Sequence, residues 1–306
     1  MHQINTQVKE KKESRNLFIT LLLNLLISAV ELIGGLLSNS LALISDALHN
    51  FSDGIAILIT YITLKISKKA PNSQLTFGYK RIQIMAALFN AVSLIAICVF
   101  LLAEAYQRLI NPEETEGFTM LMIAIIGLVA NLAGVFLLKG FSAGNLNIRA
   151  AYLHLIGDTL SSVAVIVGGI IIMVFKIYWI DPVITLLISV YIMKETWEVV
   201  AETYAILMQA GPKNLKLEPI AERIRQIPGI RNIHHIHVWQ LTDTEIHFEA
   251  HLEMSNDMLL SEVQDRRKLA KDILTKEFGF MHITLQTEIN CCHEPSLVSE
   301  SQTCVC

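Results

Sequence analysis

The sequence predicts an α-helical membrane protein, six transmembrane helices followed by a small cytosolic α+β domain of α-β-β-α-β order. Three observations carry that reading. Residues 16–211 hold 22 of the 52 charged side chains in 196 positions, whereas residues 212–306 hold 24 in 95; the second segment has the ~25% charge density of soluble domains and the first less than half of it. AVILMFWYC residues make up 53% of the 306 positions and charged residues only 17%, which excludes a disordered chain and an ordinary soluble enzyme. After Gly211-Pro212, a pair that ends a helix, long apolar runs give way to short alternating ones.

A bilayer core takes about 20 apolar residues per helix, and six stretches supply them: 16–37, 41–64, 82–106, 117–138, 149–175 and 178–208. The sixth has the shortest uncharged part, because Lys194, Glu195, Glu198 and Glu202 make its second half amphipathic, as suits a helix emerging into the cytosol. The first run is too long for the apolar core of a cleaved leader, and no A-x-A site follows, so it is expected to stay as a span. Lys and Arg in short loops set orientation. Lys9, Lys11, Lys12 and Arg15 precede span one, Lys65, Lys68, Lys69, Lys80 and Arg81 link spans two and three, and Lys139 and Arg149 flank the link from four to five. The opposite links offer only Arg108 and Lys176, with Glu113, Glu114 and Glu116 added. Both termini are thus expected in the cytosol, and an even span count agrees. Compact loops without targeting tracts point to a bacterial inner membrane.

The expected domains are a cytosolic tail over 1–15, the membrane domain over 16–211, the α+β domain over 212–290 and a disordered Cys-containing tail over 291–306. Within the α+β domain the pattern predicts helices over 215–227 and 258–278 and strands over 231–241, 245–254 and 281–289. The second strand alternates strictly: Glu245, His247, Glu249, His251 and Glu253 on one side, Ile246, Phe248, Ala250, Leu252 and Met254 on the other. One face of the sheet is therefore expected to be buried and the other wet, acidic and rich in imidazole. A net charge of −4 argues against nucleic acid as a partner, since phosphate affinity needs clustered Lys and Arg. The five Cys make no disulfide framework: Cys98 lies in an apolar run, and Cys291, Cys292, Cys304 and Cys306 read as reduced thiols on a cytosolic tail.

An ionisable side chain inside a span costs from about 2.5 to above 10 kcal/mol and is a functional candidate by default. Span two contains His49 and Asp53, and span five contains His154 and Asp158. Each H-x-x-x-D pair lies one turn apart on a single helix face. One such pair alone is explained by a buried His–Asp hydrogen bond. Two copies in separate spans point instead to a shared four-ligand N2O2 set suited to tetrahedral Zn2+, with two aspartates neutralising one dication. Gly157, between the second pair, would let the helices approach closely. Asp46 shares the face of His49 and Asp53; it reads either as an outer base orienting His49 or as a structural group bonded to span ends. Asn24, Glu31 and Asn131 read as polar glue between helices. In the α+β domain His234, His235, His237, His247, His251 and His282, with Glu288 nearby, form a candidate second metal site. The tail's thiols lack C-x-x-C spacing and are taken as incidental.

These motifs resemble the cation diffusion facilitator family of proton-coupled zinc exporters. The resemblance runs from span one to Glu288. It rests on Ser38-Asn39-Ser40-Leu41-Ala42-Leu43 leading into the Asp46/His49/Asp53 face, Phe77-Gly78-Tyr79-Lys80-Arg81, Asn145-Leu146-Asn147 through His154 and Asp158, Trp179-Ile180-Asp181-Pro182, and His234-His235-Ile236-His237-Val238-Trp239. It implies a homodimer, six helices per protomer and a metallochaperone-like C-terminal domain that dimerises and binds regulatory metal. It places the transport site on His49, Asp53, His154 and Asp158, with His at the first position accompanying a preference for zinc over cadmium. The cytosolic site would fall on His234, His251 and Glu288, with His282 as an additional ligand candidate. The chain also departs from the family. Lys65 to Arg81 holds neither Asp nor His, so a metal site in that link is not expected, and no His-rich loop lies between Lys139 and Arg149. Gln264 stands where some relatives have a further His ligand, and His235 replaces the Asp of the V-H-D-L motif.

The expected function is Zn2+/H+ antiport that removes zinc from the cytosol. Zn2+ is then substrate and regulator rather than catalytic cofactor, with Cd2+ and Co2+ as further candidate ions and the lipid bilayer as surroundings. The alternative is a membrane-embedded zinc sensor that binds metal and moves none. An intramembrane zinc hydrolase would need an open coordination position and a general base, as in H-E-x-x-H, and no such motif occurs.

Overall fold

The structure is a computed structural model that describes residue 19 and residues 22–139, 146–289 and 297–298. The basic tail before span one, residues 140–145 of the fourth link and the four C-terminal cysteines lie outside the described residues. Six long or apolar helices come first: α1 over Leu22–Ser38, α2 over Leu41–Ser67, α3 over Ile82–Ile110, α4 over Gly117–Lys139, α5 over Leu146–Phe175 and α6 over Ile180–Leu207. Among the described residues four of these, α2 to α5, are long and apolar enough to cross a membrane. In α6 the charges at Asp181, Lys194, Glu195, Glu198 and Glu202 interrupt the apolar run. Pro182 sits in the first turn of α6, where its missing N–H leaves no helical bond unmade.

The chain divides into two compact units. One comprises the described residues up to Ile62 together with Ala87–Val200. Its polarity is inverted relative to a water-soluble bundle. Ala42, Ala105, Ala124, Ser162, Thr185 and Ser189 are buried, while Leu36, Leu37, Phe89, Phe100, Phe136 and Leu187 point outward. Helices that pack through small residues and present large apolar ones suit lipid as solvent. The backbones of α4 and α5 approach closely. A Cβ on Gly117 would stand 2.7 Å from the Met173 backbone nitrogen, and one on Gly169 would stand 3.2 Å from that of Leu121. Gly157 is not such a contact, contrary to the sequence expectation: a Cβ there would meet only the Tyr191 hydroxyl, at 3.5 Å.

Asp181 supplies the start of α2. Its carboxylate accepts from Ser40 Oγ at 2.5 Å, from the Leu41 N–H at 2.8 Å and from the Ala42 N–H at 3.3 Å. It is fully buried, and it caps from α6 the free amides that every helix N-terminus leaves.

The other unit comprises Thr63–Ala86 and the described residues from Ala201 onward. It holds α7 over Leu217–Arg225, β1 over Ile230–Gln240, β2 over Ile246–Met254, α8 over Leu260–Lys276 and β3 over His282–Glu288. The sheet runs β1-β2-β3, with β1 antiparallel and β3 parallel to β2. Ile220 and Ile224 of α7, Leu274 of α8 and Ile233, Phe248 and Leu252 of the strands close one core on the apolar face.

The polar face corrects an expectation. It is not uniformly wet, because His234, His247, Glu253 and Glu288 are buried. Part of the cover comes from the segment before α3. The Phe77 ring stands edge-on to His247 at 5.3 Å and to His282 at 6.3 Å, and Lys80 Nζ pairs with Glu245 at 2.6 Å. Trp239 lies over His247 from β1, with ring centroids 5.2 Å apart.

Candidate metal centres

The two H-x-x-x-D pairs meet. His49 and Asp53 project from α2, and His154 and Asp158 from α5. His154 Nε2 lies 2.9 Å from Asp53 Oδ2 and 3.7 Å from Asp158 Oδ2; His49 Nε2 lies 3.6 Å from Asp53 Oδ2 and 3.8 Å from Asp158 Oδ1. Tetrahedral bonds of 2.0–2.1 Å place donor atoms about 3.3 Å apart, a value bracketed by the contacts of Asp53 Oδ2 with the two imidazoles. His49, Asp53 and His154 converge through single donor atoms, and Asp158 meets the two rings through different oxygens. The helical period explains the local arrangement, since residues four apart stack on one face. The set is graded in burial: the Asp158 side chain is 3% exposed, His49 15%, Asp53 25% and His154 39%. His49 Nδ1 and Asp158 Oδ2 are buried without a hydrogen-bond partner among the described residues. Buried polar atoms left so are costly, and a bound cation would satisfy the carboxylate.

Of the two readings of Asp46 the structural one fits, with a partner inside α5 rather than at a span end. Its Oδ1 accepts from Ser161 Oγ at 2.5 Å, and the same hydroxyl lies 2.9 Å from the Asp158 carbonyl. The carboxylate thus ties α2 to the turn of α5 that carries Asp158. No hydrogen bond joins it to His49 among the described residues. Glu31 accepts from Asn50 at 3.2 Å, linking α1 to α2, and Asn131 donates to Ser162 at 3.2 Å, linking α4 to α5. These are the interhelical bonds expected of polar glue. Asn24 shows no such bond through its buried Oδ1.

The second cluster lies on the polar sheet face. His234 Nε2 stands 2.6 Å from Glu288 Oε1, and His251 Nδ1 stands 3.2 Å from Glu288 Oε2. Neither ring nitrogen is aligned as a hydrogen bond. Close donor atoms that do not point protons at one another are arranged as ligands around a shared ion would be. Burial lowers the His251 pKa against the pull of Glu288, with His235 and His234 adding to the depression, a shift that favours the neutral ring a metal ligand requires. His282 is not part of this cluster. It pairs in register with His247, whereas Glu288 pairs with Glu253, six residues and so roughly 20 Å further along β3.

Comparison with known proteins decides the family. Residues 17–208 match the cation efflux transmembrane domain, and residues 212–290 match the cation efflux protein cytoplasmic domain. The chain belongs to the cation efflux family. Among its relatives is a cadmium, cobalt and zinc/H(+)-K(+) antiporter of Bacillus subtilis, 37% identical over 85% of this chain and 84% of that protein. The zinc transporter ZitB of Pectobacterium atrosepticum is 34% identical over 93% and 88%, and the metal cation efflux system protein CzcD of Cupriavidus metallidurans 33% over 92% and 88%. This cation efflux protein is therefore a membrane transporter rather than a catalytic enzyme by family, with a helical transmembrane domain and a cytoplasmic domain built on the three-stranded sheet.

Proposed function

We propose that this cation efflux protein exports Zn2+ from the cytosol in exchange for protons, through His49, Asp53, His154 and Asp158. The observation that carries the reading is the convergence of two imidazoles and two carboxylates from α2 and α5, a donor set that leaves a dication neutral. Zinc and protons compete for the same lone pairs. Zinc is held only when the imidazoles are neutral and the aspartates ionised, so its binding expels protons. The 2.9 Å contact between His154 and Asp53 is where a proton sits when no metal does. Protonation from the far side then releases the ion, so exchange follows from the ligand chemistry. The names of the relatives favour zinc, with cadmium and cobalt as further substrates.

The remaining parts of the proposal follow from the same reading. The chain crosses a bacterial inner membrane six times within residues 16–211, with α1 and α6 as the outer two spans. Both termini lie in the cytosol, the tails being 1–15 and 291–306, and residues 212–290 form a metallochaperone-like domain through which two protomers associate. Zinc at His234, His251 and Glu288 regulates the dimer. The unaligned nitrogens of His234 support metal at that cluster.

Purified protein in proteoliposomes tests the reading. Zinc should move when an acid-to-neutral pH gradient is imposed, and His49→Ala or Asp158→Ala should abolish that flux. Binding of zinc without flux in the unaltered protein would replace the exporter with a membrane-embedded sensor.

A further inference from the structure

Strand β1 carries two residues more than its partner, one between Ile230 and Asn232 and one between His234 and His237. His234 pairs with His251 and His237 with Glu249, so three steps along β1 match two along β2. This second extra residue is accommodated at His235, whose φ of 51° places a non-glycine residue in the left-handed region. A bulge of this kind re-aims side chains. Strict alternation would send His234 and His237 to opposite faces, whereas here Ile236 alone turns to the core and His234, His235 and His237 all gather on the face of His251. The rings of His235 and His237 stand 4.6 Å apart and that of His235 lies 4.7 Å from His251.

The Nε2 atoms of His235 and His237 are 3.2 Å apart. Two imidazoles bound to one tetrahedral ion place their nitrogens about 3.3 Å apart. Glu249, the cross-strand partner of His237, has its β-carbon roughly 5 Å from that of His237, and it lines with His237 an open cleft of about 610 Å³. His237 is exposed and His235 half-buried, so an ion reaches the pair without any opening of the sheet. We infer that His235 and His237, with water completing the shell, form a second metal site of the cytoplasmic domain, taking a borderline divalent cation such as Zn2+. Having few protein ligands and solvent on one side, it exchanges metal faster than the buried His234/His251/Glu288 cluster beside it. It uses the position where this chain has His in place of the Asp of the V-H-D-L pattern, and it depends on no role assigned to the other clusters.

The test is a zinc count on the full chain purified in detergent, with Zn2+ alone as probe. Asn tolerates the left-handed backbone, so the double variant His235→Asn/His237→Asn should keep the bulge. It should bind one zinc fewer per protomer than the unaltered protein, and the ion lost should be the one removed first by a weak chelator. His251→Ala should lose a different ion, and combining all three changes should lose both. An unchanged count in the double variant would overturn the site and leave an ordinary imidazole–imidazole hydrogen bond. So would a combined variant that loses no more than His251→Ala alone. A failure of the transport reading would appear instead as flux surviving His154→Ala, which this count does not touch.

Discussion

Buried carboxylates with no metal role set the local precision of the transport helices. Asp181 takes three hydrogen bonds at the start of α2, and Asp181→Ala leaves buried donors without partners. Each such loss costs about 1–3 kcal/mol, so the variant should unfold at a clearly lower temperature in detergent, by the equivalent of roughly 2–4 kcal/mol. Asp181→Asn, which keeps an acceptor, should lose less. Asp46 and Ser161 act one step from the proposed transport ligands. Ser161→Ala should weaken zinc flux about tenfold or less, through misplaced Asp158, while His154→Ala abolishes it. Neither contact was legible beforehand, because the partners lie 141 and 115 residues apart in sequence. The H-x-x-x-D pairs were legible because the helical period alone places their side chains on one face. His247 provides a pH test. Burial lowers its pKa from the usual 6.5, neighbouring His282 adds to the effect, Glu245 opposes it, and Lys80 and Arg81 push it down further. The unfolded chain then takes up the proton more readily, so stability is full above pH 6.5 and is lost as pH falls through the depressed value. Trp239 fluorescence should report a cytoplasmic domain that unfolds more easily at pH 5.5 than at pH 7.5, and His247→Phe should flatten that difference.

At the scale of elements, the backbones of α4 and α5 approach closely at Gly117 and Gly169, away from the proposed metal ligands. α5 carries His154 and Asp158, so the packing that fixes it fixes the site. Gly117→Val should push the pair apart at a cost of about 1–3 kcal/mol and reduce zinc flux. Gly157→Ala has room for its methyl and should be neutral or slightly stabilising, by ~0.5 kcal/mol, as thermal unfolding in detergent would show. Sequence reasoning favoured Gly157 because it sits between two ligands, but a glycine's neighbours are set by helix rotation, which spacing does not give. The sheet shows a similar division. Order and approximate bounds of its elements followed from alternation. The burial of its polar face did not, because residues 74–81 that help cover it are distant in sequence. The bulge at His235 is defined only by what β1 pairs with, so the pattern of β1 alone could not show it.

For the whole molecule, the question is whether α6 crosses the bilayer. Four helices, α2 to α5, are long and apolar enough to cross; if all four do, the end of α5 lies on the side opposite to the link between α2 and α3. If α6 lay along the surface, the cytoplasmic domain would therefore sit across the membrane from that link. Yet Lys80 in the link pairs with Glu245 at 2.6 Å, and Phe77 packs against His247 and His282, contacts that need both on one side. The charges of α6 are compatible with a span, because Asp181 in its first turn is taken up by hydrogen bonds at the start of α2 and Lys194, Glu195, Glu198 and Glu202 all fall in its second half. Single cysteines at Asn72 and Ser255, in a background without the native cysteines, should thus react with an impermeant thiol reagent from the same face of oriented vesicles. A cysteine at Glu113 should react only from the other. Labelling of Asn72→Cys and Ser255→Cys from opposite faces would mean that α6 does not span, and the six-helix reading would have to be given up.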